Sequence, residues 1–265
     1  MTNPLATLST IVFFLLFSSS YSCNVHDQEA LIAFKSSFRS TDFPGWTEDT
    51  DCCSWHHVGC DDATGRVTSL RFSDSSEADS PPFVGLDGSI PPSIGDLPAL
   101  RVVVFRGLPS LVGPIPPELA KLKELRYLTI TRTKVSGPVP PFLSRLASLR
   151  VLNLGDNALM GAIPSSLGSL PNLAKVGLYR NQLSGGIPSS LFAGLREGLL
   201  ADLDLSENRL TGPIPRSFGD VQFACINLHG NQLTKPIDSL FLAENKLASF
   251  DRSSHVFDHT RKYSL

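Results

Sequence analysis

The chain has 265 residues, and its 23 Lys and Arg nearly balance its 25 Asp and Glu, so the formal net charge is −2. This balance lacks the basic excess that holds a polyanion, which argues against nucleic acid as a partner. Hydrophobic residues make up 42% of the chain, enough to bury a core and to exclude a wholly disordered protein. The 39 Leu, 20 Gly and 20 Pro predict short elements broken by turns rather than long helices.

The first 22 residues predict a secretory signal peptide. An apolar run covers residues 11–17 and is too short for a bilayer span of about 20 residues. Mostly small residues follow at 18–22, as at a signal cleavage site. Residues 1–10 contain no Lys or Arg, which departs from the usual pattern, and a buried N-terminal strand is the alternative. No other run approaches membrane-spanning length, so the sequence predicts a secreted protein without a membrane span.

Five cysteines are present, and four of them crowd into residues 23–60. In a secreted chain this density predicts disulfides. Adjacent Cys52 and Cys53 are poorly placed to bond to each other, which leaves two connectivities for the four. The favoured connectivity is Cys23–Cys52 with Cys53–Cys60, which leaves Cys225 as a thiol. The alternative is a zinc site, because the segment CCSWHHVGC mixes Cys with His, but its spacing matches no zinc pattern, and no metal or other cofactor is expected.

An internal repeat of the form L-x-x-L-x-L-x-x-N-x-L-x-G-x-I-P dominates the rest of the chain. Three copies fill the pattern completely, beginning at Leu149, Leu173 and Leu200. Another begins at Leu125 with Thr133 in place of Asn, and weaker copies begin at Val67, Leu100 and Phe223. The glycines of the pattern fall at 88, 113, 137, 161, 185 and 212, which are 24 to 27 residues apart. A period near 24 with this pattern indicates a leucine-rich-repeat solenoid.

Each copy of the repeat predicts one short strand followed by a turn. Side chains alternate along a strand, so the fourth and sixth positions face inward and the third, fifth and seventh face outward. The Asn can donate and accept hydrogen bonds where the chain leaves the strand, and the Gly permits a tight turn. One repeat cannot bury its own Leu face, so the copies must stack. The predicted fold class is an α/β solenoid, a right-handed superhelix with a parallel β-sheet on its concave face.

Residues 23–66 are predicted to cap the N-terminal end of this solenoid. Leu31, Phe34 and Phe38 recur at helical spacing, and Asp27 is the predicted N-cap of that helix. The repeats then cover residues 67–248, about seven in number with the last one incomplete, and residues 249–265 are predicted to be an irregular tail.

No catalytic pattern is found, because the sequence has no G-x-S-x-G, Walker, G-x-G-x-x-G or H-E-x-x-H motif, and no enzyme is predicted. A solenoid usually binds a partner on its concave face. The predicted partner-binding residues are outward positions of that face: Tyr127, Thr129, Val151, Asn153, Lys175, Tyr179, Asp202, Asp204, Ser206, Asn227 and His229. For any single one, an ordinary solvated position is the alternative. Asp202, Asp204 and Glu207 share one strand and its turn, which predicts an acidic patch able to engage a basic cleft.

The G-x-I-P repeat resembles the plant type of leucine-rich repeat, and DCCSWHHVGCDDATGRVTSL resembles the paired-cysteine cap of plant extracellular repeat proteins. From Cys23 to about Leu233 the chain resembles the polygalacturonase-inhibiting proteins, including the extra residue before Gly113 and the Thr133 exception. The resemblance implies two disulfides in the N-terminal cap. It also implies a secreted protein of the plant cell wall that binds fungal endopolygalacturonase, a pectinase, through its concave sheet and slows wall digestion in plant defence.

The end of the chain departs from that family, which carries further repeats and a second cysteine pair, whereas no cysteine follows Cys225. The sequence therefore predicts fraying from about Phe223 onward, or association through that edge. Two other classes stay open: a soluble receptor-type module for a developmental or peptide signal, and a protein that binds pectin or another cell-wall polysaccharide. The latter would use a partial basic stripe made of Arg106, Arg132, Lys175 and Arg180.

Overall fold

The computed structural model describes residues 22–39, 43–74 and 85–234. The predicted signal peptide up to residue 21, the end of the last predicted repeat after residue 234 and the predicted tail at 249–265 lie outside this part of the chain. The described residues stack their repeats into a solenoid, as the sequence predicted. The last two described strands, Phe223–Asn227 and Gln232–Leu233, are hydrogen-bonded to the preceding repeat, and the fraying expected there stays a prediction.

Two sheets run along the solenoid, and all but the first strand pairing is parallel. The eight strands of the concave sheet are β1 (Val58–Cys60), β2 (Val67–Ser73), β4 (Val102–Arg106), β6 (Tyr127–Thr131), β8 (Val151–Asn153), β10 (Lys175–Gly177), β12 (Ala201–Asp204) and β14 (Phe223–Asn227). The seven strands of the second sheet are β3 (Gly88–Ser89), β5 (Leu111–Gly113), β7 (Lys134–Pro138), β9 (Ala158–Gly161), β11 (Gln182–Gly185), β13 (Arg209–Gly212) and β15 (Gln232–Leu233). The second sheet was not predicted, because its short strands coincide with the turn residues of the repeat.

The core is a column of aliphatic side chains contributed one repeat at a time. The central inward residues of the concave sheet lie in register and are each at most 1% exposed: Val103, Leu128, Leu152, Val176, Leu203 and Ile226. The chain returns on the far side through short 3₁₀ helices at Pro92–Asp96, Pro117–Lys121, Pro141–Arg145, Ser165–Ser169 and Arg216–Asp220, and another 3₁₀ turn lies in the cap at Cys52–Ser54. This burial of apolar surface is the main stabilising contribution to the stack.

The Asn of the repeat bonds adjacent repeats together, which agrees with the role predicted for it. The Asn208 Nδ2 donates to the carbonyls of Leu178 (2.9 Å) and Leu205 (3.1 Å), and its Oδ1 accepts from the Leu183 N–H at 3.0 Å. Asn181 and Asn231 make corresponding bonds. Asn157 makes the two bonds to carbonyls, but its Oδ1 accepts from the Thr133 hydroxyl in place of a backbone N–H. These side chains therefore form hydrogen bonds with backbone carbonyl and N–H groups at the point where the chain leaves the sheet after each strand.

The substitution Asn208→Ala is expected to lower the free energy of unfolding by about 1–3 kcal/mol, because it leaves buried carbonyls and one N–H without their partner. Urea denaturation would measure the loss. Asn172→Ala is the matched control, since the Asn172 Nδ2 makes one exposed bond to the Ala147 carbonyl at 2.9 Å. Equal losses in the two variants would contradict the structural role assigned to Asn208.

The cap begins with helix α1 (Val25–Ser36), whose N-cap is Asn24 and not the predicted Asp27. The Asn24 Oδ1 accepts from the backbone N–H groups of His26 (3.1 Å) and Asp27 (3.4 Å). Asp27 instead lies inside the helix and is fully buried. The prediction failed because Asn and Asp are both good N-caps, and only the fold shows which of them has another partner.

That other partner is Arg66, at the entrance to β2. The Asp27 carboxylate accepts from Arg66 Nε and Nη2, both at 2.9 Å, and from the Val67 N–H at 2.8 Å. The hydrogen bonding of the Arg66 guanidinium to the Asp27 carboxylate is the main reason that the pKa of Arg66 is raised above its ordinary value. The charged pair and the bond from the Val67 N–H thus connect the cap helix to the first strand of the repeats.

The cap also contains the two disulfides, Cys23–Cys52 and Cys53–Cys60, in the pairing that the sequence favoured. They occupy the sulfurs on which the zinc alternative depended, although Cys23, Asp51, Cys52 and Cys53 lie close together. Cys225 belongs to neither disulfide and is buried. Because Cys225 is buried, we expect its thiol to react with thiol reagents only when the strand around it opens.

His57 is a buried histidine of the cap with a left-handed backbone, at a φ of 73°. Its Nδ1 lies 2.9 Å from the Arg71 carbonyl, to which it can donate, and its ring lies 5.2 Å from the ring of Phe72. Burial lowers the pKa of His57 below the ordinary value of 6.5. The bond to the Arg71 carbonyl acts in the opposite direction, and the charge of His56 lowers the pKa further.

The cap is expected to lose stability as the pH falls below about 6.5, because the folded protein binds a proton on His57 less readily than the unfolded chain does. His57→Asn, which tolerates the left-handed backbone, should reduce this dependence. Thermal unfolding at pH 7.5 and pH 5 would measure it, with His56→Asn as the control for the neighbouring ring. A pH dependence that is the same in all three proteins would contradict the assignment.

The repeat that begins at Leu200 departs from its pattern in the structure. Leu200 fills the first position of the repeat pattern, where Leu149 and Leu173 are buried, but it is 55% exposed and Ala201 is buried instead. A register shift between Ala201 and Asp202 accompanies the change. The spacing of 27 residues between Gly185 and Gly212 supplies the extra length that makes this rearrangement possible.

Candidate functional site on the concave sheet

The outward residues of the concave sheet form rows that cross its strands. The first row runs Val102, Tyr127, Val151, Lys175, Asp202 and Cys225, and the second runs Val104, Thr129, Asn153, Gly177, Asp204 and Asn227. A third follows where the strands end, with Gly155, Tyr179, Ser206 and His229 in successive repeats. The predicted partner-binding residues therefore lie on one continuous surface, but they differ in how accessible they are.

The second row is mostly used for internal capping. The side-chain oxygens of Asn153 and Asn227 each accept from the backbone N–H two residues later, both at 3.2 Å. Asp204 does the same with the Ser206 N–H at 3.0 Å and also accepts from the Ser206 hydroxyl at 2.6 Å. All four of these residues are buried, so they shape the surface and offer little of themselves to a partner. Their direct contact with a partner stays a prediction, and only a small part of each side chain reaches the surface.

Tyr179 is the candidate contact residue of the third row whose surroundings are most clearly defined. Its ring lies over Gly155 of the preceding repeat, where a Cβ would collide with the ring. Burial raises the pKa of the Tyr179 hydroxyl above its ordinary value, and the carboxylates of Asp156 and Asp204 add to this; a hydrogen bond with Asn153 and the charge of Arg106 oppose it. The Tyr is thus held in a fixed orientation while part of it stays open to solvent.

The pairing of Gly155 with Tyr179 was missed by the sequence reasoning. The available signal was Gly155 itself, because other repeats have a larger residue at the same position: Thr131, Tyr179 and Ser206. Its meaning becomes clear only when the next repeat is stacked upon it.

The charged residues of the site are paired with one another. Lys175 Nζ lies 3.0 Å from the Asp202 carboxylate in the first row. At the ends of the strands Arg180 pairs with Asp156 at 3.6 Å, His229 lies 3.5 Å from Glu207, and Arg132 pairs with Asp74. The predicted acidic patch is partly compensated: Asp202 faces Lys175, Asp204 is buried against Ser206, and Glu207 lies beside His229, which is charged only when protonated. Its engagement of a basic cleft stays a prediction.

Apart from the capped and the charge-paired residues, the accessible part of the concave sheet is its half-buried centre. It consists of Val102, Val104, Tyr127, Thr129, Val151 and Tyr179, all without formal charge. The Lys175–Asp202 pair borders it on one side, and exposed His229 lies farther along. Many protein–protein contacts have this arrangement, with aromatic and aliphatic groups at the centre and charged pairs around them. Among the described residues, no helix has the length and apolar character needed to cross a bilayer.

Family models match two parts of the chain. The leucine-rich-repeat N-terminal domain matches residues 25–61, and the leucine-rich repeat matches residues 148–170 and 199–221. The chain is 43% identical over 127 residues to a polygalacturonase inhibitor of Pyrus communis, covering 45% of this chain and 36% of that protein. It is 40% identical over 135 residues to polygalacturonase inhibitor 1 of Arabidopsis thaliana, covering 48% and 38% respectively. The matched region thus spans little more than a third of these relatives.

Solved structures resemble a larger part of the chain. A plant ice-binding protein matches with a TM-score of 0.72 and 40% identity, over 80% of this chain and 65% of that one. Pollen Receptor Kinase 3 matches with a TM-score of 0.66 and 30% identity, over 80% of this chain and 98% of the solved chain. The solenoid fold is therefore shared with proteins of differing description.

Proposed function

Because the chain belongs to the plant leucine-rich-repeat family and resembles its polygalacturonase inhibitors, we propose that it is a secreted plant defence protein that binds and inhibits fungal endopolygalacturonase. It would act by binding and not by catalysis. Secretion to the cell wall is supported by the two disulfides of the cap, since such bonds persist in oxidising compartments.

The observation that carries the proposal is the uncharged, half-buried centre of the concave sheet, with Tyr127, Thr129, Val151 and Tyr179. Tyrosines on a rigid sheet present a large contact area at low cost in conformational entropy, which suits the centre of a protein contact. Because the surrounding charges are already paired, we assign them to specificity and not to the main attraction.

Inhibition of a panel of fungal endopolygalacturonases by the purified protein would test this function. Release of reducing ends from polygalacturonate is the readout, and binding of each enzyme is measured separately by surface plasmon resonance. We expect nanomolar to micromolar inhibition of at least one enzyme, with complex formation at the same concentrations. Neither binding nor inhibition across a broad panel would contradict the proposal.

A receptor-type module is the second candidate function, favoured by the match over 98% of the Pollen Receptor Kinase 3 chain at 30% identity. The same concave surface would then hold a peptide or a second receptor without blocking an enzyme. Binding of plant extracellular peptides or ectodomains, with no effect on any polygalacturonase, would support this alternative.

Pectin is less well supported as a ligand of the concave sheet. Of the four residues proposed for a basic stripe, Arg132, Lys175 and Arg180 each pair with a carboxylate. A polyuronate would have to displace these carboxylates before it could bind, which reduces the net attraction.

A further inference from the structure

The residues that immediately precede the strands form an edge of the concave sheet distinct from its outward rows. Arg101, Arg126 and Arg150 occupy this position in three successive repeats, followed by Ala174. Backbone hydrogen bonds join them in order: Arg126 N–H to the Arg101 carbonyl at 2.9 Å, Arg150 to Arg126 at 2.8 Å, and Ala174 to Arg150 at 3.0 Å. The arginines are therefore one strand spacing apart, about 4.8 Å.

Two of these arginines have no ionic partner within the part of the chain that the structure describes. Arg101 lies 3.8 Å from the Asp61 carboxylate. Arg126 is half-buried and Arg150 is exposed, and neither has a described carboxylate within ion-pair distance. This contrasts with Arg132, Lys175 and Arg180 on the concave face, which are all paired. Two neighbouring, uncompensated guanidinium groups favour binding of carboxylates.

Farther along the same edge, the repeat of 27 residues exposes two leucines just before β12. Leu199 is 40% exposed and Leu200 is 55% exposed. Gly198, at a φ of 82°, and the bond from the Leu199 N–H to the Arg196 carbonyl at 3.3 Å turn the chain so that this pair stands at the edge. Extra residues in a single repeat often project onto a binding face. Leu199 and Leu200 together offer apolar surface that a partner can remove from water.

We propose that this amino edge, made of Arg126, Arg150, Leu199 and Leu200, binds an extended protein segment with acidic side chains at one end and aliphatic ones at the other. Arg126 and Leu200 are separated by three strand spacings, about 14 Å. An extended segment covers this distance in about four or five residues. The small Ala174 lies between the two halves and leaves room for the segment to cross.

The two leucines decide between a protein segment and an acidic polysaccharide. A uronate chain would use the arginines, but its hydroxyl-covered rings would gain little from aliphatic side chains, whereas Leu or Ile of a peptide would bury them. The proposal goes beyond the inhibition of polygalacturonase, because it concerns a second surface and holds whether or not the concave centre binds that enzyme.

Fluorescence anisotropy on the whole protein would test the proposal with three labelled probes at low ionic strength. One is the peptide Glu-Glu-Ser-Gly-Leu-Leu, the second is its reversed sequence, since either chain direction is possible, and the third replaces both Leu by Ser. We expect one of the first two to bind at least about tenfold more tightly than the third, and to weaken as salt rises. R126E with R150E, and separately L199S with L200S, should each weaken that peptide about tenfold or more.

Matched controls are R209E with R216E, which change the same charge at exposed arginines elsewhere, and V112S with M160S, which change exposed apolar residues of the second sheet. Each control should change the affinity for the peptide by less than about twofold relative to the unsubstituted protein. Thermal unfolding of every variant would check that it is folded. The proposal is overturned if neither Leu peptide binds better than the Ser peptide. It is also overturned if an oligogalacturonate binds more tightly than either Leu peptide, with a dependence on the arginines alone.

Discussion

Replacement of Asp27 by Ala is expected to lower the free energy of unfolding by about 3–5 kcal/mol, the largest loss that we predict for any single side chain of this protein. Asp27 is fully buried, and it accepts two hydrogen bonds from the Arg66 guanidinium and one from the Val67 N–H. The variant would leave a charged group and a backbone donor without their acceptor at the junction of cap and repeats. Urea denaturation followed by circular dichroism would measure the effect.

An exposed ion pair of similar length provides the control for this prediction. Lys121 Nζ lies 3.0 Å from Asp96 Oδ1, and the two side chains are 58% and 57% exposed. Asp96→Ala should therefore cost less than about 1 kcal/mol, because water and salt already screen the pair. If both variants lost the same stability, burial of Asp27 would not be the cause of its effect.

The second large effect is expected at the centre of the concave sheet. Tyr127→Ala and Tyr179→Ala should each weaken inhibition of a susceptible polygalacturonase about 10- to 30-fold, equivalent to about 1.4–2 kcal/mol. The reason is the loss of a large, oriented aromatic surface, and for Tyr179 also of the ring that packs over Gly155. Inhibition constants and complex dissociation rates would be measured together, since truncation at a contact mainly speeds dissociation.

Two comparisons separate this contact from the acidic patch predicted from the sequence. Lys175→Ala with Asp202→Ala removes a matched pair of charges, 3.0 Å apart, and should change inhibition by less than about threefold at any salt concentration. Tyr179→Phe keeps the ring and should retain most of the inhibition. If the charge variant lost inhibition strongly and in a salt-dependent way while the tyrosine variants lost little, the contact would lie at Lys175 and Asp202 and not at the tyrosines.

The repeat period explains why so much of the architecture could be predicted. Val103, Leu128, Leu152, Val176, Leu203 and Ile226 lie in register because their spacing in the sequence equals one turn of the solenoid. The Asn positions could be assigned for the same reason, since each meets the same backbone groups in every copy. Local alternation and a regular spacing suffice when every repeat has the same neighbour.

The sequence by itself determined the solenoid, its inward column and the outward direction of the candidate contact residues. Only the tertiary structure decided that Asn24 caps the helix, that Ala201 replaces Leu200 in the core, and that Asp202 pairs with Lys175. It likewise turned Asn153, Asp204 and Asn227 into internal caps and left Tyr127 and Tyr179 accessible. The physical reason is that periodicity specifies which way a side chain points, whereas burial and charge compensation depend on side chains about 24 residues away that only stacking brings within hydrogen-bond distance.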